Sequence, residues 1–237
     1  MPGSLLKAGA RKLIMENSPR LLIISLLFVV LSTIVSWLSL RLPGTINIPD
    51  MYIRLAAGEI FSPWMIYSNF RPIGVLLAVI LRLLLPVLDV GFISYCIKIN
   101  RNESTEFKDL FNGFLYFWKV IMLSIVITVL VILWSILLII PGIVASYRYR
   151  LSYYILLDDP GKGVFQCISE SKRVMRGRKL DLFTIDLSFL GWYVIDFVIF
   201  LMIPLSFAIP IVSIWLSPYV GLTRVAFYEF HINSLAV

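Results

Sequence analysis

The chain has 237 residues, of which 59% are hydrophobic and 15% charged, and its mean hydropathy is +0.91. A soluble domain of this size carries roughly 25% charged residues, so this one lacks the polar surface to cover a water-soluble globule. The net charge of +7 fits cytoplasmic loops enriched in Lys and Arg better than a nucleic-acid surface, because no stacking aromatics are interleaved with the basic residues.

The apolar residues fall in long runs, and about 20 such residues cross a bilayer as a helix. Lys7, Arg11 and Lys12 precede the first run, Leu21–Leu40. That run is too long for the apolar region of a signal peptide and no small-residue cleavage site follows it, so it reads as an uncleaved first span. A loop from Arg41 to Arg71 carries Tyr52, Phe61, Trp64, Tyr67 and Phe70, aromatics suited to the headgroup interface. The second span, Ile73–Ile97, is interrupted by Arg82, Pro86 and Asp89. Asn100–Trp118 follows, and its Phe107, Leu110, Phe111, Phe114 and Phe117 show helical spacing, as in an interfacial helix.

Val120–Ile140 is the third span and the most apolar, and Pro141-Gly142 is expected to end it. Ile143–Leu157 is a shorter, Tyr-rich fourth segment. Val164–Leu180 is amphipathic, with Val164, Ile168 and Met175 on one face and Lys172, Arg173, Arg176 and Lys179 around it. The fifth and sixth spans run about 182–203 and 207–228, separated by Pro204.

Charge decides whether the fourth segment crosses. Six spans keep the basic residues of the amino-terminal, 98–119 and 162–179 segments on the cytoplasmic side, and leave only Arg41, Arg54 and Arg71 outside. Five spans would export the densest basic cluster, against the positive-inside rule. The expectation is therefore an all-α polytopic bundle with interfacial amphipathic helices, residues 1–237 forming one membrane domain. Both termini would be cytoplasmic, in a plasma membrane.

A series of motifs begins at Asp89-x-Gly91. It continues through Phe107-x-Asp109-x-Phe111-x-Gly113-Phe114, Leu133-Trp134, Ile139-Ile140-Pro141-Gly142-Ile143, Tyr147-x-Tyr149 and Ser171-x-x-x-Met175-x-Gly177. It ends with Leu182-Phe183-x-x-Asp186-Leu187-Ser188-Phe189-x-Gly191-Trp192, Pro218-Tyr219 and Phe227-Tyr228. In order and spacing these residues resemble the bacterial membrane-protein family known as domain of unknown function 975, found mainly in Gram-positive bacteria. Arg148 and Arg150 stand where that pattern more often has small polar residues. The resemblance implies a polytopic plasma-membrane protein and supplies no biochemical activity.

Candidate chemistry is sparse. His231 is the one histidine and reads as a solvated tail residue. Cys96 and Cys167 read as free thiols, so neither a zinc site nor a Cys–His pair is expected, and no metal or cofactor is. Gly161-Lys162-Gly163 lacks the rest of a phosphate-binding loop and reads as a turn. Asp158 and Asp159 diverge on a helix and mark a span exit.

The charges within spans carry more: Arg82, Asp89, Arg148, Arg150, Asp186 and Asp196. Burying each costs at least ~2.5–3.5 kcal/mol on insertion scales, so each needs a partner or water. Arg82 and Asp89 lie on one face but about 10 Å apart along the axis, so both should pair elsewhere, and Arg148 or Arg150 is placed to meet Asp196. Such a set serves either as interhelical glue or as a water-accessible cavity. Lys172, Arg173, Arg176 and Lys179 are candidates for lipid headgroups, at ~1 kcal/mol per charge near the surface.

Catalysis is not expected, because Asp186 and Asp196 lie ~15 Å apart axially on one helix and cannot hold one water. Two readings remain. One is an envelope scaffold, assembly or lipid-interacting protein, with membrane lipids (anionic ones included), a membrane-protein partner or a second copy as partners. The other is a small transporter or permease using proline-broken helices.

Overall fold

The computed structural model describes residues 3–42, 56–58, 71–202 and 210–233, and the side chains at 200–202 and 211 are not among those described. The aromatics of the 41–71 loop, Arg54, Pro204 and the stretch 203–209 at the fifth and sixth span boundaries lie outside the described residues. Every element present is helical, with no strand among the described residues.

In chain order the helices are α1 (Gly3–Asn17), α2 (Arg20–Arg41), α3 (Pro72–Asn100), a 3₁₀ segment (Phe107–Tyr116), α4 (Phe117–Leu137) and α5 (Ile139–Tyr149). Then come α6 (Ser152–Asp158), α7 (Val164–Val174), α8 (Lys179–Leu187), α9 (Leu190–Met202) and α10 (Ile211–Asn233). The chain divides into two compact units, Leu31–Leu85 and a larger one of Met1–Val30 with Pro86–Val237.

Four stretches among the described residues are long and apolar enough to cross a membrane: Arg20–Arg41, Pro72–Asn100, Phe107–Leu137 and Lys179–Ile199. Their outward residues are apolar too. Met122, Ile125, Val129, Ile132, Leu133 and Ile136 of α4 are all exposed, as a lipid-facing helix requires and a water-facing one avoids. These features are compatible with a membrane protein, and the fourth and sixth expected spans are not among the four.

The fourth segment is short because it is broken. α5 has 11 residues and α6 has 7, or roughly 16 Å and 10 Å of helix at 1.5 Å per residue. Neither alone approaches the ~30 Å of a bilayer core. Pro141 does not end α4 as expected. The break falls at Leu138, which is extended at φ −163° and ψ 148°, and Pro141 sits in the first turn of α5, where its missing N–H has no partner to lose. Gly142 lets α5 fold back on α4: a Cβ there would lie 2.1 Å from Ser135 Oγ.

In the larger unit α10 supplies much of the core. Leu216, Tyr219, Val220, Leu222, Val225, Phe227 and Tyr228 are all buried. α1 packs along it, burying Leu6, Ala10 and Ile14 at four-residue spacing. The sequence reading treated that segment only as a basic lead-in. Arg11 Nε donates to Tyr219 Oη at 2.9 Å, Lys7 donates to Ser188 Oγ, and Ser25 Oγ donates to the Ile214 carbonyl at 2.5 Å.

The expected interfacial helix is the 3₁₀ segment, which exposes Phe107, Phe111 and Phe114 and buries Asp109, Leu110 and Gly113. It crosses α3 backbone to backbone. A Cβ on Gly91 would meet the Leu110 carbonyl at 1.8 Å, and one on Gly113 the Val87 carbonyl at 2.0 Å. Lys98 Nζ and Asp109 Oδ1, 2.7 Å apart, fasten the crossing.

In the smaller unit, Leu31–Leu85, the α2 and α3 segments expose Ile34, Trp37, Leu40, Ile73 and Leu76. Arg41 lies over the Trp37 ring at 5.3 Å.

Candidate functional site

Asp186, near the end of α8, is the centre of a charge cluster. Arg224 of α10 donates to its Oδ1 from Nε at 3.1 Å and from Nη2 at 2.9 Å. Tyr147 of α5 donates its hydroxyl to Oδ2 at 3.2 Å, and Arg150 Nη2 stands 3.9 Å from the same oxygen. The break between α5 and α6 places Arg150 there, since it follows the last residue of α5.

Two cavities flank the cluster. The larger, of about 440 Å³, is lined among others by Asp89, Arg150, Tyr153, Tyr154, Tyr193 and Arg224. The second, of about 400 Å³, shares Arg150, Tyr193 and Arg224 and adds Tyr147 and Asp186. Volumes of roughly 300–1,000 Å³ suit small-molecule sites. Asp89 has an exposed side chain that opens into the larger cavity. It feels the charges of Arg150 and Arg224 and makes no direct ion pair or hydrogen bond among the described residues.

Three of the six expected intramembrane charges, Asp89, Arg150 and Asp186, therefore converge. The other three do not. Arg82 belongs to the Leu31–Leu85 unit and is exposed. Arg148 lines neither cavity, and its carbonyl accepts from Ser171 Oγ at 2.9 Å. Asp196 does not meet Arg148 or Arg150. Its Oδ1 accepts from the Val212 N–H at 3.2 Å and its Oδ2 from the Ser213 hydroxyl at 2.5 Å, so it satisfies one first-turn amide of α10, a group that helices leave without an intrahelical partner, and a neighbouring hydroxyl.

The residue that sequence reading missed is Arg224, the side chain that holds Asp186. Its signal was present, a lone arginine inside Ile211–Phe227. The lining tyrosines were visible only as a Tyr-rich segment.

A second cluster ties helix ends together. Arg101, just past α3, pairs with Asp158 at 2.8 Å and Glu229 at 2.6 Å, and Tyr228 donates to Asp158 Oδ2 at 2.5 Å. Beside it His231 corrects the expectation of a solvated tail. It is buried, its Nδ1 lies 2.8 Å from the Phe227 carbonyl, and its ring is tilted against that of Phe227, with centroids 4.2 Å apart. Burial, the largest influence, holds its pKa below the ordinary histidine value.

The amphipathic stretch forms α7, which buries Cys167, Ile168, Ser171 and Val174. Cys96 and Cys167 are both free and buried, and burial pushes the Cys167 thiol up. Of the four headgroup candidates, Arg173 and Arg176 are exposed and Lys172 and Lys179 partly so. Lys172 sits over the Tyr149 ring at 5.6 Å, and Arg173 lies 3.6 Å from Glu170.

The motifs that supply Arg150 and Asp186 belong to one stretch. Residues 136–234 match the model of the family described as protein of unknown function (DUF975). This DUF975 region starts near the end of α4 and includes α5 to α10, with Arg150, Asp186, Asp196 and Arg224. Asp89, the remaining charged wall of the larger cavity, comes from α3, upstream of the DUF975 region. No curated protein and no solved structure matches the chain.

Proposed function

We propose that this is a non-enzymatic, lipid-interacting protein of a bacterial plasma membrane, with six spans, both termini cytoplasmic, and a polar cavity that receives part of an amphiphile. The observation that carries the reading is the Asp89, Arg150 and Arg224 lining of a cavity of about 440 Å³, with Asp186 paired to Arg224 beside it. Asp186 is engaged by an arginine and a tyrosine, which suits a fixed acceptor more than a mobile acid or base. Six spans follow if α5 and α6 together make the fourth crossing: their 11 and 7 residues add to roughly 27 Å of helix, close to the ~30 Å of a bilayer core, and α10 is long enough for the sixth. The positive-inside count then favours cytoplasmic ends.

The exposed Arg173 and Arg176, beside exposed Phe165 and Leu180, suit contact with anionic headgroups at the cytoplasmic surface. A second copy of the chain or another membrane protein is the partner of the scaffold version of this reading. Extraction into native-lipid nanodiscs, followed by mass spectrometry of co-purified lipids, tests it. A reproducibly enriched lipid, lost when the cavity charges are neutralised, is the expected result, whereas lipid in bulk proportions sinks it.

A second reading, a small transporter, is favoured by one observation. The α5–α6 break brings Arg150 to the cavity wall, and discontinuous helices often frame transport sites. Bulk lipid in the nanodiscs together with solute flux that depends on Arg150 would select it.

A further inference from the structure

We propose that the larger cavity binds a zwitterion, with an ammonium group at Asp89 and an oxyanion at Arg150. The inference rests on the lipid-interacting reading and names the class of headgroup. Of the four charged groups, Arg224 and Asp186 are spent on each other at 2.9 Å, and Tyr147 occupies the second oxygen of Asp186. That leaves Arg150 at the outer limit of an ion pair, 3.9 Å, and Asp89 with no direct partner among the described residues. Both line the same cavity.

The two aspartates and two arginines sum to zero charge, so the site offers no net attraction to a simple anion or cation. A ligand that carries both charges satisfies both walls at once. An unpaired charge in such surroundings is costly unless water or a ligand meets it. Tyr153, Tyr154 and Tyr193 on the same lining supply aromatic faces, which attract an ammonium within about 6 Å. Arginine is the side chain suited to a phosphate or carboxylate, through two parallel N–H donors. Phe28 and Phe92, stacked at 4.5 Å, add an apolar wall to the cavity.

Native mass spectrometry of the full-length protein in detergent tests this, with phosphatidylethanolamine, phosphatidylglycerol and water-soluble phosphoethanolamine as probes. About 300 mM salt screens binding to the surface lysines and arginines. The expected result is at least tenfold tighter binding of phosphatidylethanolamine than of phosphatidylglycerol, with phosphoethanolamine competing for the site. Asp89→Asn and Arg150→Gln, each with an unchanged melting temperature, should abolish that preference, and Lys12→Gln should keep it.

Should either cavity variant fail to fold, the selectivity of the unaltered protein decides alone. Equal or tighter binding of phosphatidylglycerol overturns the zwitterion and leaves the lipid reading standing. Binding of phosphoethanolamine without either lipid upholds the zwitterion and removes the lipid reading. A preference that survives in folded Asp89→Asn also overturns the assignment, and binding of none of the three overturns both.

Discussion

Removing the Arg224 guanidinium leaves the Asp186 carboxylate with only Tyr147 at 3.2 Å and Arg150 at 3.9 Å. Breaking a fully buried ion pair from one side costs about 3–5 kcal/mol, an upper bound for this part-buried pair, while replacing both partners by apolar residues is often close to neutral. Arg224→Met should therefore lower the melting temperature sharply, and the double variant Arg224→Met/Asp186→Leu should recover much of the loss. A double variant no more stable than the single one would show that the pair is not coupled. His231 gives a pH signature with a definite sign. Its folded pKa lies below its unfolded value, so its contribution is present above the ordinary histidine pKa of about 6.5 and is lost as pH falls through the folded value. Thermal unfolding across pH 8 to 5 should show the unaltered protein losing more stability than His231→Gln, and parallel profiles would refute it. Cys167, buried with a raised thiol pKa, should resist a thiol-alkylating reagent until the protein is unfolded. Asp89, Arg150 and Asp186 were legible as candidates because a charge inside an apolar run is costly wherever it falls. Their partners were not, since pairing depends on which helices become neighbours. Asp196 illustrates this: its partner is the start of the helix that follows it, not an arginine.

The helices themselves were largely readable, and their breaks were not. Hydrophobic runs located α2, α3 and α4 closely, because bilayer length is a strong constraint, whereas the fifth run, 182–203, covers most of α8 and all of α9 and does not show the break between them. The amphipathic α1 went unread beside its basic residues, and the turn at Leu138 was assigned to Pro141-Gly142, three residues late, because proline is tolerated in a first turn. The crossing of α3 by the 3₁₀ segment depends on two glycines, which a single sequence does not distinguish from any others. Gly113→Ala forces a Cβ to 2.0 Å from the Val87 carbonyl, and overpacking of this kind costs typically 1–3 kcal/mol. Gly9→Ala, within α1, meets nothing within 4 Å and should gain up to about 1 kcal/mol of helix propensity. Melting temperatures of the two variants should move in opposite directions. A Gly113→Ala protein as stable as the original would mean that the crossing is looser than described.

For the molecule as a whole, the proposed six spans make a specific demand on topology. Single cysteines introduced at Lys12 and Lys162, in a background lacking Cys96 and Cys167, should react with an impermeant reagent only from the cytoplasmic side. One at Ile140, by the α4–α5 turn, should be sheltered from that side. Labelling of residues 12 and 162 from opposite sides would require an odd number of crossings between them and exclude the six-span arrangement. Neutralising Lys172, Arg173, Arg176 and Lys179 together should weaken retention of anionic lipid by the purified protein while leaving the Asp89–Arg150 cavity's ligand in place, since those side chains line neither cavity.

The packing of α1 against α10 also bears on biogenesis. Synthesis delivers α1 before its partner, with α2 to α9 made in between. In the interval the stripe of Leu6, Ala10 and Ile14 has no α10 to cover it, and an amphipathic helix in that position has the membrane surface as its natural shelter. Assembly of the larger unit is then a clasp that closes only once α10 has been made. A ribosome halted before Ile211 would leave a chain whose long apolar helices are already made but without the helix around which the interior of the larger unit is built, a product for quality-control proteases rather than a partly working protein.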